Sequence, residues 1–186
     1  SSLSQPSYFT TIILGAVKMG GSAVEYIQNI ERHGNHLGNQ LDNYNRQSFG
    51  NVFSSGCLGS PGSSGMKLSV SAGSYWYSVD NFTPPSTTDI TMIGYYRDGS
   101  GGYITTSLTN IPLQWDDNSG TLQTLSPTEW AKPSIFVVGD NLGGATYIFI
   151  YPQQIFTSNI LAVSGPLPLP PSFITGNVCP IIAVVT

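Results

Sequence analysis

From residue 66 onward, the chain consists of short segments in which apolar and polar residues alternate, separated by clusters of glycine, proline, asparagine and aspartate. Alternation with a period of two places successive side chains on opposite faces of a strand, so each segment predicts a β-strand. The predicted strands are MKLSVSAG, SYWYSV, DITMIGYYR, GGYITTSL, IPLQW, TLQTL, SIFVVGD, ATYIFIYP and VCPIIAVVT. No segment after residue 50 has the length and period of a helix. The pattern therefore predicts a mainly β fold for residues 66–186, either an antiparallel β sandwich or a barrel-like head.

The loops between these segments have the composition of tight turns. RDGSGG (97–102), GDNLGG (139–144) and DDNSG (116–120) each lie between two predicted strands and predict hairpin turns. In the third, the aspartate side chains can bond the backbone, and Gly120 can adopt a positive φ. The proline-rich GPLPLPPS (165–172) cannot be an inner strand, because proline has no backbone N–H to donate, and is expected to cross the domain as an extended stretch.

Residues 22–49 have a different pattern, in which apolar residues recur at heptad spacing. Ser22 and Glu25 are placed as a capping box that would start a helix. The apolar residues fall at the a and d positions of a narrow seam: Ile27, Ile30, Leu37, Leu41 and Tyr44. A seam of two apolar residues in seven is typical of a coiled coil and too narrow for the face of a core helix.

This predicted helix would be weak on its own. Gly34 and Gly38 each cost about 1 kcal/mol relative to alanine, and a marginal helix needs packing against a partner. We therefore predict a short parallel coiled coil that uses the apolar seam for self-association. The alternative is a single amphipathic helix that lies on the β domain.

Charge is scarce along the whole chain. Only 9% of the residues are charged, against about 25% in an average domain. The six Lys and Arg residues are scattered, and the net charge of −4 with a pI of about 4.8 argues against nucleic-acid binding, which needs clustered cations. The apolar run FTTIILGAV (9–17) is too short to span a bilayer and has no basic leader, so neither membrane insertion nor a secretory signal is expected.

Asp116 and Asp117 are the most conspicuous candidates for chemistry. A glycosidase-type acid pair needs two carboxyl groups about 5–9.5 Å apart, and the sequence does not place Asp98, Glu129 or Asp140 near them. No histidine lies in residues 66–186, which excludes a Ser-His-Asp triad within the head. The same stretch lacks the ligand spacing of an EF-hand loop. The favoured interpretation is a turn, so no catalytic residue and no enzymatic activity are predicted.

No metal or cofactor site is predicted either. Cys57 and Cys179 are far apart, and the two histidines, His33 and His36, lie at flanking positions of the predicted helix. The cysteines could form a disulfide in an extracellular protein or remain buried thiols, and the sequence leaves both open. The glycine-rich loops lack the Lys-Ser/Thr pair and the following helix of a phosphate-binding loop.

Five segments occur in an order that is familiar as a whole. They are KLSVSAGSYW (67–76), MIGYYRDGSGGYITTS (92–107), IPLQWDDNSGTLQTLSPTEWAKPSIFVVGD (111–140), YIFIYPQQIFTS (147–158) and LPLPPSFITGNVCPIIAVV (167–185). Over residues 65–186 the chain resembles the head domain at the C-terminus of bacteriophage tail-fibre and related viral fibre proteins. Each motif is short and degenerate, and their order carries the resemblance.

The resemblance implies a location, partners and an assembly. Proteins of this kind are homotrimers on the virion that bind the host surface or other virion proteins. It divides the chain into four parts: an N-terminal docking segment (1–21) that contacts other virion proteins, a helical coiled-coil stem (22–49), a Gly/Ser-rich connector (50–65) and the β head (66–186). The stem is shorter than is usual in such fibres, which leaves a capsid or baseplate decoration protein without receptor binding as an alternative.

Aromatic side chains are the candidates for receptor binding, because sugar rings stack on exposed aromatic faces. The candidates are Trp76, Tyr95, Tyr96, Tyr103, Trp115 and Trp130. Since neighbours in a strand point to opposite faces, one of Tyr95 and Tyr96 is expected in the core or in a subunit interface. The expected ligand is a host-surface glycan. A secreted cellular lectin or adhesin, and a depolymerase enzyme, are the other hypotheses.

Overall fold

The computed structural model describes residues 16–20, 23–28, 41–42, 44–45, 48–140, 142–174, 179–183 and 185. The chain divides into two compact units, Ser1–Leu41 and Asp42–Thr186. The described part is mainly β, which confirms that prediction.

The N-terminal unit contains a β-hairpin where the sequence predicted a helix. Strand β1 (Ala16–Gly20) pairs antiparallel with β2 (Ala23–Gln28), with a register shift between Lys18 and Met19. The predicted helix is therefore wrong over Ala23–Gln28. Two of its residues, Val24 and Ile27, are β-branched and lose rotamer freedom in a helix, and β1 supplies the hydrogen-bonding partner that an isolated segment lacks.

The first residue of the predicted coiled-coil seam lies in a strand and not in a helix. Ile27 belongs to strand β2, whereas Ile30 and Leu37 lie outside the described residues. Leu41 and Tyr44 are helical, and their side chains are 56% and 61% exposed. Heptad spacing alone did not separate a helix from a strand followed by a helical turn.

The described residues of the C-terminal unit include fourteen strands and a helix, which are named here in chain order, besides the helical residues Asp42, Tyr44, Asn45 and Ser48. The strands are β3 (Asn51–Gly56), β4 (Gly59–Pro61), β5 (Leu68–Val70), β6 (Gly73–Tyr77), β7 (Asp80–Phe82), β8 (Met92–Arg97), β9 (Tyr103–Leu108), β10 (Gln114–Asp116), β11 (Leu122–Thr124), β12 (Trp130–Ala131), β13 (Ser134–Gly139), β14 (Ala145–Ile150), β15 (Ile155–Phe156) and β16 (Cys179–Ala183). The helix, α1, spans Asn159–Ser164. It was not predicted, because six residues are too few to establish a helical period.

A five-stranded sheet with the order β16-β13-β14-β8-β9 forms the centre of this unit. All neighbours are antiparallel except β14 and β8, which run parallel with Tyr147 beside Met92 and Ile150 beside Tyr95. The remaining strands form the small sheets β3-β6-β7, β4-β5, β10-β11 and β12-β15. None of the sheets among the described residues closes into a barrel, so the barrel-like alternative is not supported in this part of the chain.

The predicted turns are confirmed. RDGSGG connects β8 to β9, GDNLGG connects β13 to β14, and DDNSG connects β10 to β11, in each case between antiparallel partners. Gly120 has a φ of 83°, as the composition of its turn predicted. The proline-rich stretch 165–172 contains no strand, which also agrees with the prediction.

One face of the central sheet, called the core face here, holds the larger apolar cluster. It presents alternate residues of β13 and β14, such as Val137 and Phe149, both fully buried. The small sheets supply Tyr75 and Phe82, whose rings stack at 5.3 Å between centroids. The Tyr75 hydroxyl also accepts a hydrogen bond of 2.7 Å from the backbone N–H of Gly139, which ties the smaller sheet to the central one.

The opposite face, called the cleft face here, has a thinner cover. Its apolar cluster consists of Phe136, Ile148, Ile150 and Ile174, with Tyr95 and Val138 at the border. Ile174 belongs to the segment 165–174, which we call the strap. The strap thus covers part of a sheet face with a short irregular chain, and the candidate site lies beside it.

Candidate functional site

Two aspartates at the hairpin turns are used to fix the backbone. Asp98 Oδ1 accepts hydrogen bonds from the N–H groups of Ser100 and Gly102, each 2.8 Å long. These bonds, first that from Ser100, lower the pKa of the Asp98 carboxyl group. Asp140 Oδ1 accepts from Gly144 N–H at 2.6 Å in the same way. Both carboxylates therefore serve the turns, as expected for Asx side chains in loops.

Asp116 and Asp117 differ sharply, although they are adjacent in the chain. Asp117 is exposed, and its Oδ1 accepts from Ser119 N–H at 2.9 Å. Hydrogen bonding by Ser119, first by its side chain and then by its backbone, lowers the pKa of the Asp117 carboxyl group. Asp116 is 1% exposed, and its Oδ1 accepts from Asn118 N–H at 2.8 Å. Its Oδ2 accepts from both the N–H and the Nε–H of Arg97, each at 2.9 Å.

The ion pair of Asp116 and Arg97 fixes the end of strand β8 to the DDNSG turn. Arg97 Nη2 also donates to the Asp116 carbonyl oxygen at 2.9 Å, so three hydrogen bonds join the end of β8 to the start of the DDNSG turn. The Asp116 N–H in turn donates to the Pro152 carbonyl oxygen at 2.8 Å. The turn was predictable from its local composition, whereas this pairing was not, because Arg97 lies nineteen residues before Asp116.

The cleft itself has a volume of ≈ 400 Å³. It is lined by Arg97 of β8, Lys132 after β12, Gln153 and Gln154 between β14 and β15, Phe156 of β15, and Pro166, Leu167, Pro168 and Leu169 of the strap. Small-molecule sites are commonly of this size and combine an apolar wall with a few polar groups. The cleft is therefore the candidate functional site.

Lys132 is held at the end of helix α1. Its Nζ donates to the Val163 carbonyl oxygen at 2.7 Å and to the Gly165 carbonyl oxygen at 2.8 Å. The Val163 carbonyl group lies in the last turn of the helix and the Gly165 carbonyl group directly after it, where a cation is electrostatically favoured. An ammonium group has three donors, so one N–H of Lys132 has no acceptor within the described part of the chain. Lys132 thus presents a fixed cation to the cleft.

Gln153 holds the strap in place. Its Nε2 donates to the Leu169 carbonyl oxygen at 2.9 Å, and its Oε1 accepts from the Leu169 N–H at 3.1 Å. The side-chain amide therefore bonds the strap backbone as a neighbouring strand would. Gln154 is exposed and makes no such bond within the described residues. Gln153 is structural, whereas the Gln154 amide is free for a ligand.

Three of the predicted aromatic candidates lie near the cleft. Tyr103 is the cross-strand partner of Arg97, and Tyr95 is on the same face of β8 as Arg97. Both tyrosine rings contact Phe173 of the strap, at centroid distances of 5.7 Å for Tyr95 and 5.8 Å for Tyr103. Trp130 pairs across strands with the lining residue Phe156. Tyr95, Tyr103 and Trp130 are thus close to lining residues, but none of the three lines the cleft itself.

The other three candidates lie elsewhere. Tyr96 packs edge-on against Tyr151 with centroids 5.7 Å apart on the core face, so the expected division between Tyr95 and Tyr96 is observed. Trp76 is 40% exposed on β6, where its cross-strand neighbours are Val52 and Asn81. Trp115 on β10 is half-buried opposite Gln123 and does not line the cleft.

The structure also bears on the cysteines, on metal binding and on membrane-spanning helices. Cys57 is a buried free thiol, and burial raises its pKa. His33 and His36 lie outside the described residues. Within the described residues, no group of three or more His, Cys, Asp or Glu side chains is arranged to hold a metal ion. No helix among them is both long and apolar enough to cross a membrane.

Comparison of the chain with protein-family models, with curated proteins and with solved structures gave no match. The function is therefore argued from the cleft and from the residues that surround it.

Proposed function

We propose that the protein is a fibre-like structural protein of a virion whose β head binds a host-surface glycan in the cleft beside the strap. The carrying observation is the composition of that cleft. Cationic donors, a free amide and aromatic and aliphatic walls come together there in a volume of ≈ 400 Å³. In this proposal the packed sheets of the C-terminal unit form a β sandwich.

The lining groups suit the two surfaces of a sugar. Sugar hydroxyl groups need donors and acceptors, which Gln154 and Arg97 can supply. The C–H faces of the ring need flat apolar contacts, which Phe156 and the exposed Leu167 and Leu169 can supply. This mixture is what a glycan site requires, and it involves no catalytic group.

Self-association as a homotrimer is part of the proposal. Near the start of the C-terminal unit, Tyr44, Phe49, Val52 and Phe53 are between 48% and 63% exposed. The rings of Tyr44 and Phe49 are in edge-to-face contact, with centroids 6.2 Å apart, and adjoining exposed apolar side chains commonly mark an interaction surface. In a trimer Tyr44 and Phe49 would face neighbouring subunits, and residues 1–21 would dock to other virion proteins.

The binding part is tested on a glycan array with the full-length protein and two variants. Gln154→Ala together with Phe156→Ala should lower the array signal at least tenfold, because both side chains line the cleft. The matched aromatic control is Trp76→Ala, which removes an exposed ring away from the cleft and should bind as the wild type does. Loss of binding in the control alone would place the glycan on β6, and a blank array for the wild type would favour a decoration protein.

The assembly is tested separately by light scattering. A mass of about three times the 19.9 kDa chain supports the trimer, whereas a monomer at all concentrations contradicts it. The same measurement on residues 50–186 shows whether association needs the preceding segment.

A further inference from the structure

Positive charge is concentrated at the cleft in a chain that is otherwise poor in it. The chain contains six Lys and Arg residues and has a net charge of −4. Two of those six, Arg97 and Lys132, line the same cleft from distant positions in the sequence. Among the residues that line the cleft, none is acidic. A ligand in the cleft therefore meets a local field of the opposite sign to that of the whole protein.

The two cations differ in how far their charge is compensated. Arg97 forms an ion pair with the buried Asp116, with 2.9 Å between Nε and Oδ2. Its charge is largely balanced, although the guanidinium group retains N–H donors beyond the two that bond Asp116. Lys132 bonds only carbonyl oxygens among the described residues, and no carboxylate lies within ion-pair distance of its Nζ there. Lys132 thus supplies the uncompensated charge.

The position of Lys132 is also fixed. Two hydrogen bonds, to Val163 and Gly165, hold its ammonium group against the end of α1. A cation that is already ordered loses little side-chain entropy when it binds an anion, which makes such a contact more favourable. Arg97 is equally well held by Asp116 and by its place in β8.

We propose that the glycan bound in the cleft carries a carboxylate, and that Lys132 and Arg97 donate charge-assisted hydrogen bonds to it. This inference rests on the proposed function and narrows it to acidic sugars, such as uronic or sialic acids. Charge-assisted hydrogen bonds are roughly twice as strong as neutral ones, so the carboxylate should dominate the affinity. Phe156, Leu167 and Leu169 would contact the apolar side of the sugar ring.

The experiment compares each acidic sugar with its own neutral form. The probes are a glucuronate-terminated and a sialate-terminated oligosaccharide, each together with its carboxyl-reduced counterpart, in which only the carboxylate has been replaced. Binding to the full-length protein is measured by biolayer interferometry at low and at physiological salt. We expect the carboxylate form of at least one pair to bind about 10- to 100-fold more tightly, and we expect salt to reduce this advantage.

Variants of Lys132 then test whether this residue binds the carboxylate. Lys132→Met should remove most of the advantage of the carboxylate form, with the remainder due to Arg97, and Lys132→Arg should keep more of it than Lys132→Met does. The control is Lys67→Met, which removes a lysine that is paired with Asp89 outside the cleft and should leave the advantage unchanged. Thermal unfolding of each variant shows whether it is folded, and the comparison of probes on the wild type does not depend on any variant.

The outcomes separate this inference from the proposed function. Equal binding of acidic and reduced forms overturns the carboxylate inference and leaves glycan binding intact. An advantage that is undiminished in Lys132→Met overturns the role of Lys132. A wild-type protein that binds neither these probes nor any glycan on the array overturns both proposals.

Discussion

The two faces of the central sheet use the same kinds of residues for different purposes. On the core face, twelve buried residues form one cluster that includes Phe149 and Tyr75, both 0% exposed. On the cleft face, four buried residues are covered in part by the strap, and Phe173 of the strap is 62% exposed. A sheet covered by further sheets is closed to ligands, whereas a face covered by a narrow strap retains clefts beside it. The core face therefore contributes most of the buried apolar packing, and the cleft face leaves space beside the strap for the proposed ligand.

The largest loss of stability is expected when a large side chain is removed from the core face. Phe149→Ala should lower the free energy of unfolding by about 4 kcal/mol, through lost burial and the cavity left behind. Phe136→Ala makes the same change on the cleft face, where the ring is 9% exposed and its cluster is smaller, and should cost about 1 kcal/mol less. Urea unfolding measures both. Equal losses would mean that the two faces contribute alike.

The next effect concerns the ion pair at the wall of the cleft. Arg97→Met should cost about 3 kcal/mol, because it leaves the carboxylate of Asp116 buried without its cation. The control is Asp117→Asn in the same turn, which changes an exposed carboxylate and should shift the unfolding midpoint very little. A small loss in Arg97→Met would show that the backbone donors alone satisfy Asp116.

Removing the hydrogen bonds that hold the strap should lower the free energy of unfolding by a smaller but measurable amount. Gln153→Ala removes both hydrogen bonds to Leu169 and should cost about 1–2 kcal/mol in the same urea measurement. Gln154→Ala, at the adjacent exposed position, is the matched control and should be nearly neutral. If the two variants unfold alike, Gln153 does not hold the strap.

Low pH should destabilise the protein by protonating Asp89. Hydrogen bonds from Ser63, first from its side chain, and the nearby Lys67 lower the pKa of Asp89 from 3.8 to about 2. The folded state therefore binds this proton less readily than the unfolded state does, so the stabilisation is complete above about pH 4 and is lost as the pH falls toward 2. Asp89→Asn should flatten that part of the stability profile, measured by thermal unfolding between pH 2 and 5. Asparagine suits this position, since its φ is 53°.

The smallest effect is expected on the cleft face at Ser134. Its Oγ is buried and has no hydrogen-bond partner among the described residues. Ser134→Ala removes an unsatisfied hydroxyl group and should be neutral or stabilising by up to about 1 kcal/mol. A clear loss of stability in thermal unfolding would mean that the hydroxyl group bonds a partner.

The strands and turns of this fold could be predicted because their signals are local. Alternation and the Asp-Gly-rich loops located the β8–β9 and β13–β14 hairpins. The helix predicted from residue 23 was wrong at Ala23–Gln28, because heptad spacing over few residues resembles the spacing of apolar residues in a strand. Local composition also missed α1, whose cap Ser158 accepts from Leu161 N–H at 3.4 Å.

The site was less predictable than the fold, because it depends on contacts between distant segments. Aromatic composition pointed to Tyr95, Tyr103 and Trp130, which do lie near the cleft. Aromatic composition favoured Tyr96 and Trp76 just as much. The alternation of side chains between the two faces of a strand can only distinguish neighbours within that strand, such as Tyr95 and Tyr96. Nothing local indicates that Lys132 meets the end of α1, which lies about thirty residues later.

The parallel pairing of β14 and β8 has a consequence for synthesis of the protein. Hairpin β8–β9 is complete once Leu108 has left the ribosome, but the other edge of β8 pairs with Tyr147–Ile150. Translation proceeds at about 5–20 residues per second, so that edge stays open for several seconds. The segment that waits for β14, Met92–Tyr95, carries no charge, and an unpaired strand edge of this kind in a nascent chain can join another chain. Crowded polysomes are therefore where the protein is most exposed to misassembly.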